Sequence, residues 1–481
     1  MGWRKRDFLY AIGCLGAIKL GADLVEDSQT EVSEATPSPE RDGPATTTQI
    51  PASTTLTSEP ADPPHMDIVI AHHGSRPNQV EFTCDIEVSD GIQSLSLSVV
   101  EPTRQVKHQG LNEQREDYNG PNGDEYVSYE WDGESSACHF EFVIDVSNRQ
   151  NEAFGGRDYA GTEEWVFAPA PGLAVSWSDA QTDGIELPSV LYPLASRDAN
   201  HVQVEVNKPA KLGNQLIFIG DFEDHSYVGE EQLFSLIVPS HADPPAHDEI
   251  FETLDFASER LRVGELTDEI TAFITTDPIR RGGVNMPESP LKSFQTQSEK
   301  SVSEFWVHED SSLTSPNNSV VHEYVHTRQN FHLDSEMEWF REASAEYYAA
   351  RITYAQRAVL AVMKGDVTEH LYPDEQYADQ ILAAKDNWSD ARVPYRKGGY
   401  VLLALDELIR DRSDEEAFLQ TVFYEMNAAE EEVTYPRFVE LVSEAAGTSL
   451  DDWCVQYVNG DGLPPVPEGW ERDNLLSTDT A

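Results

Sequence analysis

Apolar and polar residues alternate with a period of two in several short stretches between residues 65 and 245. Such alternation places the apolar side chains on one face of a β-strand. Gly, Asn and Pro residues that favour turns separate the stretches, so the pattern predicts a β-sandwich domain over residues 65–245. The predicted strands are residues 66–71, 80–88, 95–100, 139–145, 202–206 and 216–220.

After residue 248, apolar residues recur at the spacing of about 3.6 that is typical of α-helices. Residues 269–275 and the stretch around His308 are predicted to be strands instead. Together with the β-sandwich, this predicts a multidomain α+β protein. The predicted helices are residues 249–261, 337–363, 374–385, 395–411, 415–427, 435–446 and 450–458.

The first 64 residues follow neither period. A basic start leads into an apolar run over residues 8–18, which predicts an export signal over residues 1–26, similar to a twin-arginine signal with lysine in one of the paired places. The run is shorter than the about 20 residues that span a bilayer. An uncleaved membrane anchor and a lipid on Cys14 are the alternatives. Residues 27–64, rich in Thr, Ser, Pro and Glu, are predicted to be a disordered linker.

Acidic residues dominate the charge, with 87 Asp and Glu against 33 Lys and Arg, and a net charge of -54. This field repels nucleic acid and anionic lipid, so it excludes nucleic acid as a partner. The 19 Phe, 9 Trp and 18 Tyr residues argue against a disordered chain. We interpret the acidic surface as adaptation to high salt, where screening relieves self-repulsion.

Three cysteines lie in the predicted elements. Cys84 and Cys138 fall in or beside the predicted strands, and an oxidising compartment would favour a disulfide between them. Cys454, on a predicted helix, is expected to be a buried thiol.

The strongest chemical signal is Ser-Val-Val-His-Glu-Tyr-Val-His at residues 319–326. His322 and His326 are four residues apart, so they share one helix face and can offer imidazole nitrogens to one Zn²⁺. Glu323 flanks the open position and is the candidate general base for a zinc-bound water. The motif predicts metal-assisted hydrolysis.

A carboxylate from a second helix would complete this site. Glu342 lies in a stretch whose Ala, Glu and Arg content favours a helix, and it is the preferred third ligand. Glu336 and Glu338 are the alternatives. Glu346 follows Glu342 by one turn and is either a carboxylate that orients a ligand histidine or a solvated glutamate.

The chain resembles the gluzincin metallopeptidases over residues 280–465, especially their aminopeptidase and glycyl aminopeptidase branch. The resemblance rests on Val-Val-His-Glu-Tyr-Val-His, on Trp-Phe-Arg-Glu-Ala-Ser-Ala-Glu-Tyr-Tyr and on Tyr-Arg-Lys-Gly at residues 395–398. It implies a thermolysin-like zinc catalytic domain at residues 246–390, a helical lobe at residues 391–470 and a tail at residues 471–481. It also implies that Tyr395 stabilises the oxyanion.

One motif departs from that branch. The stretch at residues 281–287 stands where those aminopeptidases carry a Gly-x-Met-Glu-Asn strand, whose acid binds the free amine of the substrate. Gly282, Gly283, Val284 and Asn285 are therefore predicted to form the substrate edge, but Val284 replaces the acid. Aminopeptidase and endopeptidase activity both stay open, and Glu288 could substitute only if its loop folds back.

These observations predict an exported zinc metallopeptidase, extracellular or at the cell surface, that uses one zinc ion and acts on peptide or protein substrates. The alternative is a catalytically weak or inactive cell-surface binding protein on a gluzincin scaffold. Contact with a membrane is expected only through an N-terminal anchor. The oligomeric state has no signature in the sequence.

Overall fold

Alternating apolar residues form three sheets in the amino-terminal half of the protein. The computed structural model describes residues 64–100, 103–119, 125–147, 156–170, 173–179, 202–213, 215–280, 282–284, 301–358 and 370–465. The predicted export signal, the linker up to residue 63 and the tail lie outside the described residues. The strands of these sheets are β1 (His65–His72), β2 (Gln79–Glu87), β3 (Ile92–Val100), β4 (Thr103–Gln109), β5 (Leu111–Asn119), β6 (Glu125–Trp131), β7 (Ala137–Asp145), β8 (Ala160–Gly161), β9 (Val166–Pro169), β10 (Leu173–Asp179), β11 (Val202–Val206), β12 (Ala210–Leu212) and β13 (Leu216–Ile219).

The three sheets share one buried core. Their strand orders are β11-β1-β2-β7-β4, β10-β3-β6-β5 and β12-β13-β9-β8. Each sheet sends its apolar face inward, and Phe82 stacks on Phe142 with ring centroids 4.8 Å apart. All six predicted strands of this region are confirmed.

The disulfide that the sequence left open for Cys84 and Cys138 is not formed, because both residues are free thiols. Cys84 lies opposite Phe140 and Cys138 opposite Ile86, so the cysteines are diagonal neighbours on β2 and β7. The Cα atoms of diagonal neighbours lie about 7–8 Å apart, whereas a disulfide needs Cα atoms about 4.4–6.8 Å apart. Burial raises the pKa of Cys84 to about 12 and that of Cys138 to about 11. Cys454 is a buried free thiol, as predicted.

A fourth sheet supports the metal-site helices. Its strand order is β14-β15-β16-β18-β17, in which β15, β16 and β18 run parallel and the outer strands run antiparallel. The sheet begins at Phe222, whereas the predicted β domain extends to residue 245, because alternation identifies a strand but not its partners. The strands are β14 (Phe222–Val228), β15 (Leu233–Pro239), β16 (Glu269–Thr275), β17 (Gly282–Val284) and β18 (Val302–His308).

Helices cover the apolar face of this sheet and form the largest core cluster. No helix of the described segments has the length and apolar character to cross a membrane. The helices are α1 (His247–Arg260), α2 (Ser319–His326), α3 (Trp339–Ala358), α4 (Glu375–Ala378), α5 (Gly399–Arg412), α6 (Leu419–Asn427), α7 (Tyr435–Ala446) and α8 (Asp451–Tyr457).

Two predicted helices are wrong in extent. Within residues 374–385 the only α-helix is α4, and a 3₁₀ turn follows at Lys385–Asn387. The carbonyls of Gln380 and Ile381 accept hydrogen bonds from the side chains of Lys397 and Trp388 instead of continuing the helix. Helix α6 begins at Leu419 rather than at residue 415. Asp414 and Glu415 have positive φ angles of 53° and 66°, which a right-handed helix does not accommodate.

Strand β18 joins the two halves of the molecule. Glu304 is only 1% exposed, and its Oε2 accepts hydrogen bonds from the backbone N–H groups of Gln215 and Leu216 at 3.0 and 2.9 Å. Beside it, Trp306 packs against Phe167 at a ring distance of 5.7 Å. The mixed sheets and helices confirm the α+β class, and the sheet β12-β13-β9-β8 packs against the fourth sheet.

Candidate metal centre

Helix α2 carries both histidines and begins at a buried cap. Asn318 Oδ1 accepts hydrogen bonds from the backbone N–H groups of Val320 and Val321 at 3.1 and 3.3 Å. The cap satisfies two of the N–H groups that a helix start leaves without intrahelical partners. The helical period then brings His322 and His326 to one face, with their ring centroids 4.9 Å apart.

Three predicted ligand atoms form a nearly equilateral triangle. Glu342 Oε2 lies 3.3 Å from His322 Nε2 and 3.3 Å from His326 Nε2, and the two nitrogens are 3.2 Å apart. A tetrahedral zinc ion with bonds of about 2.0 Å separates its ligand atoms by about 3.3 Å. The donor set and its spacing therefore fit Zn²⁺, with a fourth vertex left for water or substrate.

The alternative third ligands do not reach this triangle. Glu336 is exposed, and Glu338 forms an ion pair with Lys385. Within the described residues, His322, His326 and Glu342 are the group of His, Cys, Asp and Glu side chains whose ligand atoms are close enough to share one metal ion.

Electrostatics keeps the Glu342 carboxylate charged. Burial opposes charge on both Glu342 and His326, but each supports the ionised form of the other. The imidazoles hold the pKa of Glu342 well below its usual range, and the carboxylate raises the pKa of His326. The charged carboxylate is the form that binds a metal cation.

Glu346 lies behind His322, one turn after Glu342 on α3. It is 5% exposed, and its Oε2 lies 3.3 Å from His322 Nδ1, an ion-pair distance without the alignment of a hydrogen bond. Its Oε1 lies 3.0 Å from His370 Nε2. His370 was not identified from the sequence, because a single histidine far along the chain carries no pattern.

Gln329 is a second contact that the sequence did not reveal. Its Oε1 accepts a hydrogen bond from His326 Nδ1 at 2.9 Å. Each predicted ligand histidine therefore has a neighbour at its remote nitrogen, a carboxylate for His322 and an amide for His326.

Tyr395 lies against the same site. It belongs to a π-helical turn, Pro394–Gly398, that continues into α5, and its ring stacks on that of His322 at 5.6 Å with an interplanar angle of 6°. Gly398 allows the π-helical turn to pack this closely against α3. A Cβ atom at residue 398 would lie only 2.6 Å from the Cβ of Ala343 and would clash with it.

The remaining predicted residues are Glu323 on α2 and those of the substrate edge at residues 282–285. Glu323 is 3% exposed on α2, directly after His322. Among the described strands, β17 lies at the edge of its sheet, and in it Gly282 pairs with Trp306, Gly283 with Phe305 and Val284 with Glu304. Asn285 and Glu288 lie outside the described residues.

His308 ends β18, as predicted for a strand residue, and is 8% exposed. A cleft of about 290 Å³ lies beside it, lined by Arg280, by several serines and by Ser319 at the start of α2. None of the three ligand side chains lines this cleft, so the metal centre is identified by its donor geometry and not by a cavity.

No protein-family model and no curated protein matches the chain. Among solved structures, it is similar to an aminopeptidase N family protein from Idiomarina loihiensis, with 10% identity, a TM-score of 0.56, and coverage of 83% of this chain and 77% of that chain. It is also similar to an M1 zinc metallopeptidase from Deinococcus radiodurans, with 12% identity, a TM-score of 0.47, and coverage of 85% and 96%. The first likeness confirms, at the level of the fold, the resemblance to the gluzincin aminopeptidase branch.

Proposed function

We propose that the protein is a zinc metallopeptidase that hydrolyses peptide bonds. The proposal rests on one observation, the triangle of His322 Nε2, His326 Nε2 and Glu342 Oε2 with sides of 3.2 to 3.3 Å. The fold shared with an aminopeptidase N family protein supports it. His322, His326 and Glu342 would hold one zinc ion, which supplies the Lewis acidity that activates water and polarises a carbonyl.

Glu323 is the general base in this proposal. It takes a proton from the water that attacks the peptide carbonyl, and it then passes that proton to the leaving amine, so that one carboxylate serves both steps. Its burial on α2 beside His322 supports this role.

Tyr395 is the proposed oxyanion stabiliser. Its hydroxyl would donate a hydrogen bond to the carbonyl oxygen as negative charge develops there. The stack of its ring on His322 supports the assignment, because it keeps the tyrosine beside the ligand set.

The substrate is proposed to add to the edge strand β17 in an extended form. An edge strand offers free backbone donors and acceptors to a peptide, and Gly282 and Gly283 bring no side chain into its path. Val284 cannot pair with an ammonium group, so this position does not supply the acid that a strict aminopeptidase uses to bind a free amino terminus.

The proposed setting is outside the cell, in high salt. Residues 1–26 would serve as the export signal, with peptides or proteins as substrates and no nucleic-acid partner. The net charge of -54 supports a saline environment and argues against binding to polyanions.

Peptide hydrolysis in molar salt tests the proposal. A chelator should abolish cleavage and added Zn²⁺ should restore it, for both free and amino-terminally blocked peptides. Glu323→Gln should lower kcat by about 10²- to 10⁴-fold, because the proton acceptor is lost. Glu338→Gln is the matched control, since this exposed acid pairs with Lys385, and it should leave the rate unchanged.

Hydrolysis that survives both the chelator and Glu323→Gln would contradict the proposal. Zinc binding without hydrolysis of any peptide would favour the alternative, a binding protein on this scaffold.

A further inference from the structure

Gln329 links one ligand histidine to the helix that carries the ligand carboxylate. The residue is 1% exposed and lies three positions after His326. Its Oε1 accepts from His326 Nδ1 at 2.9 Å, while its Nε2 donates to the carbonyl oxygen of Arg341 at 2.7 Å and to Ser344 Oγ at 2.9 Å. One side chain therefore bridges α2 and the first turns of α3.

The orientation of this amide is determined by its partners. The carbonyl of Arg341 can only accept, so the end of Gln329 that faces it must be the NH₂ group. Ser344 agrees, because its hydroxyl donates to the same carbonyl at 3.2 Å and leaves Oγ to accept from Gln329. The oxygen of the amide is thus the end that faces His326.

This orientation selects the tautomer of His326. An amide oxygen only accepts, so Nδ1 of His326 must carry a proton, and in the neutral imidazole that binds a metal Nε2 then presents its lone pair to the ligand triangle. A neutral amide achieves this without adding negative charge to a site that already contains Glu323, Glu342 and Glu346.

The same bridge sets the spacing between ligands. Arg341 directly precedes Glu342, so the hydrogen bond to its carbonyl ties His326 to the backbone beside the third ligand. The distance of 3.3 Å between His326 Nε2 and Glu342 Oε2 depends on how α2 and α3 pack at this point.

We propose that Gln329 is a positioning residue for the zinc site. It holds His326 in the tautomer that binds metal and maintains the separation of His326 from Glu342 before the ion arrives. The inference rests on the proposed function and adds a residue that touches neither substrate nor metal.

Zinc affinity, measured by competition with a chromophoric chelator, tests the inference without any assay of activity. Gln329→Met keeps the length of the side chain but removes the acceptor, and should weaken zinc binding by about 10- to 100-fold. Gln329→Glu keeps an acceptor for His326 Nδ1 while losing both donors, so it should bind zinc more tightly than Gln329→Met. Ser344→Ala removes a partner of Gln329 but leaves its oxygen in place, and should bind zinc as the wild type does.

A role in packing alone predicts a different result, since Gln329→Met and Gln329→Glu would then lose zinc equally, and this would overturn the inference. Should Gln329→Met fail to fold, Gln329→Asn keeps an amide but shortens its reach to His326, and the same loss is expected.

His322→Ala distinguishes a failure of the role of Gln329 from a failure of the metal site. Weak zinc binding by His322→Ala, with wild-type binding by Gln329→Met, would refute the role of Gln329 alone. Wild-type zinc binding by His322→Ala would refute the metal site itself.

Discussion

Two histidines of the same motif have chemically different partners. The carboxylate of Glu346 lies 3.3 Å from His322, and the amide of Gln329 lies 2.9 Å from His326. Of these two contacts only the second is a hydrogen bond, because Glu346 and His322 Nδ1 lack the alignment that a hydrogen bond needs.

Spacing along the chain makes the three ligands recognisable in the sequence. Residues four positions apart on a helix lie on one face, so His322 and His326 can be recognised together as a pair of ligands. The helix-favouring residues around Glu342 make it the candidate third ligand. Gln329 and His370 cannot be found in this way. Their importance arises only when α2, α3 and the chain at residue 370 pack together, and neither residue type has a local signature.

Lys397 gives a pH-dependent prediction. Its ammonium group donates to the carbonyl of Gln380, and burial lowers its pKa from 10.5 to about 8. Between these pH values the unfolded chain holds a proton that the folded protein releases, so the contribution of Lys397 to stability rises with pH. Relative to Lys397→Met, the wild type should gain up to about 3 kcal/mol in free energy of unfolding between pH 7 and pH 10.5.

Urea unfolding of both proteins across this range measures the difference. Parallel pH profiles for the wild type and Lys397→Met would contradict the assigned burial of the charge.

Buried charges hold α3 against α5. Asp406 on α5 accepts hydrogen bonds from Tyr347 at 2.7 Å and from Arg410 at 2.9 Å, and it lies 3.4 Å from Arg351. It also accepts from the backbone N–H of Leu419 at 2.7 Å, at the start of α6. One carboxylate thus fixes the helix that bears Glu342 to the helix that follows Tyr395.

Removing this charge should be costly. Asp406→Asn leaves Arg410 buried without its main counter-charge, so we expect a loss of about 3–5 kcal/mol in the free energy of unfolding. Glu425→Gln, on the exposed face of α6, is the control and should change it by about 0.5 kcal/mol or less. Denaturant melts measure both, and equal effects would argue against a structural role for the buried pairs.

Elements with clear ends were predicted best. Helix α7 matches its predicted bounds because Thr434 caps its start, and Gly447, with a φ of 64°, ends it. The helix predicted over residues 374–385 is shorter in the structure because two backbone carbonyls of this segment accept hydrogen bonds from side chains outside it, those of Lys397 and Trp388. Periodicity describes a segment by itself, so it cannot anticipate such tertiary contacts.

At the scale of the whole molecule, sheet membership was not predictable. Strand β15 is apolar like the strands before it, yet it pairs with β16 in the sheet beneath α2, and β14 pairs with β15. The partner of a strand depends on the packing of the chain and not on its alternation. The α+β class itself followed from the change of period near residue 248.

The net charge of -54 predicts a dependence on salt. The Debye length falls from about 10 Å at 0.1 M to about 3 Å at 1 M salt, so repulsion between surface carboxylates weakens. We expect the Tm to rise by several degrees between 0.1 and 2 M KCl. Sucrose of equal osmolality serves as the control, and a Tm that stays constant or falls in KCl would contradict adaptation to high salt.

The central claim concerns one zinc ion held by two helices. A crystal structure of the zinc-loaded protein, with anomalous data on both sides of the zinc absorption edge, tests it most directly. We predict a single strong anomalous peak at about 2.0–2.2 Å from His322 Nε2, His326 Nε2 and a carboxylate oxygen of Glu342. A peak at other side chains, or no peak at these three in zinc-saturated crystals, would contradict the account.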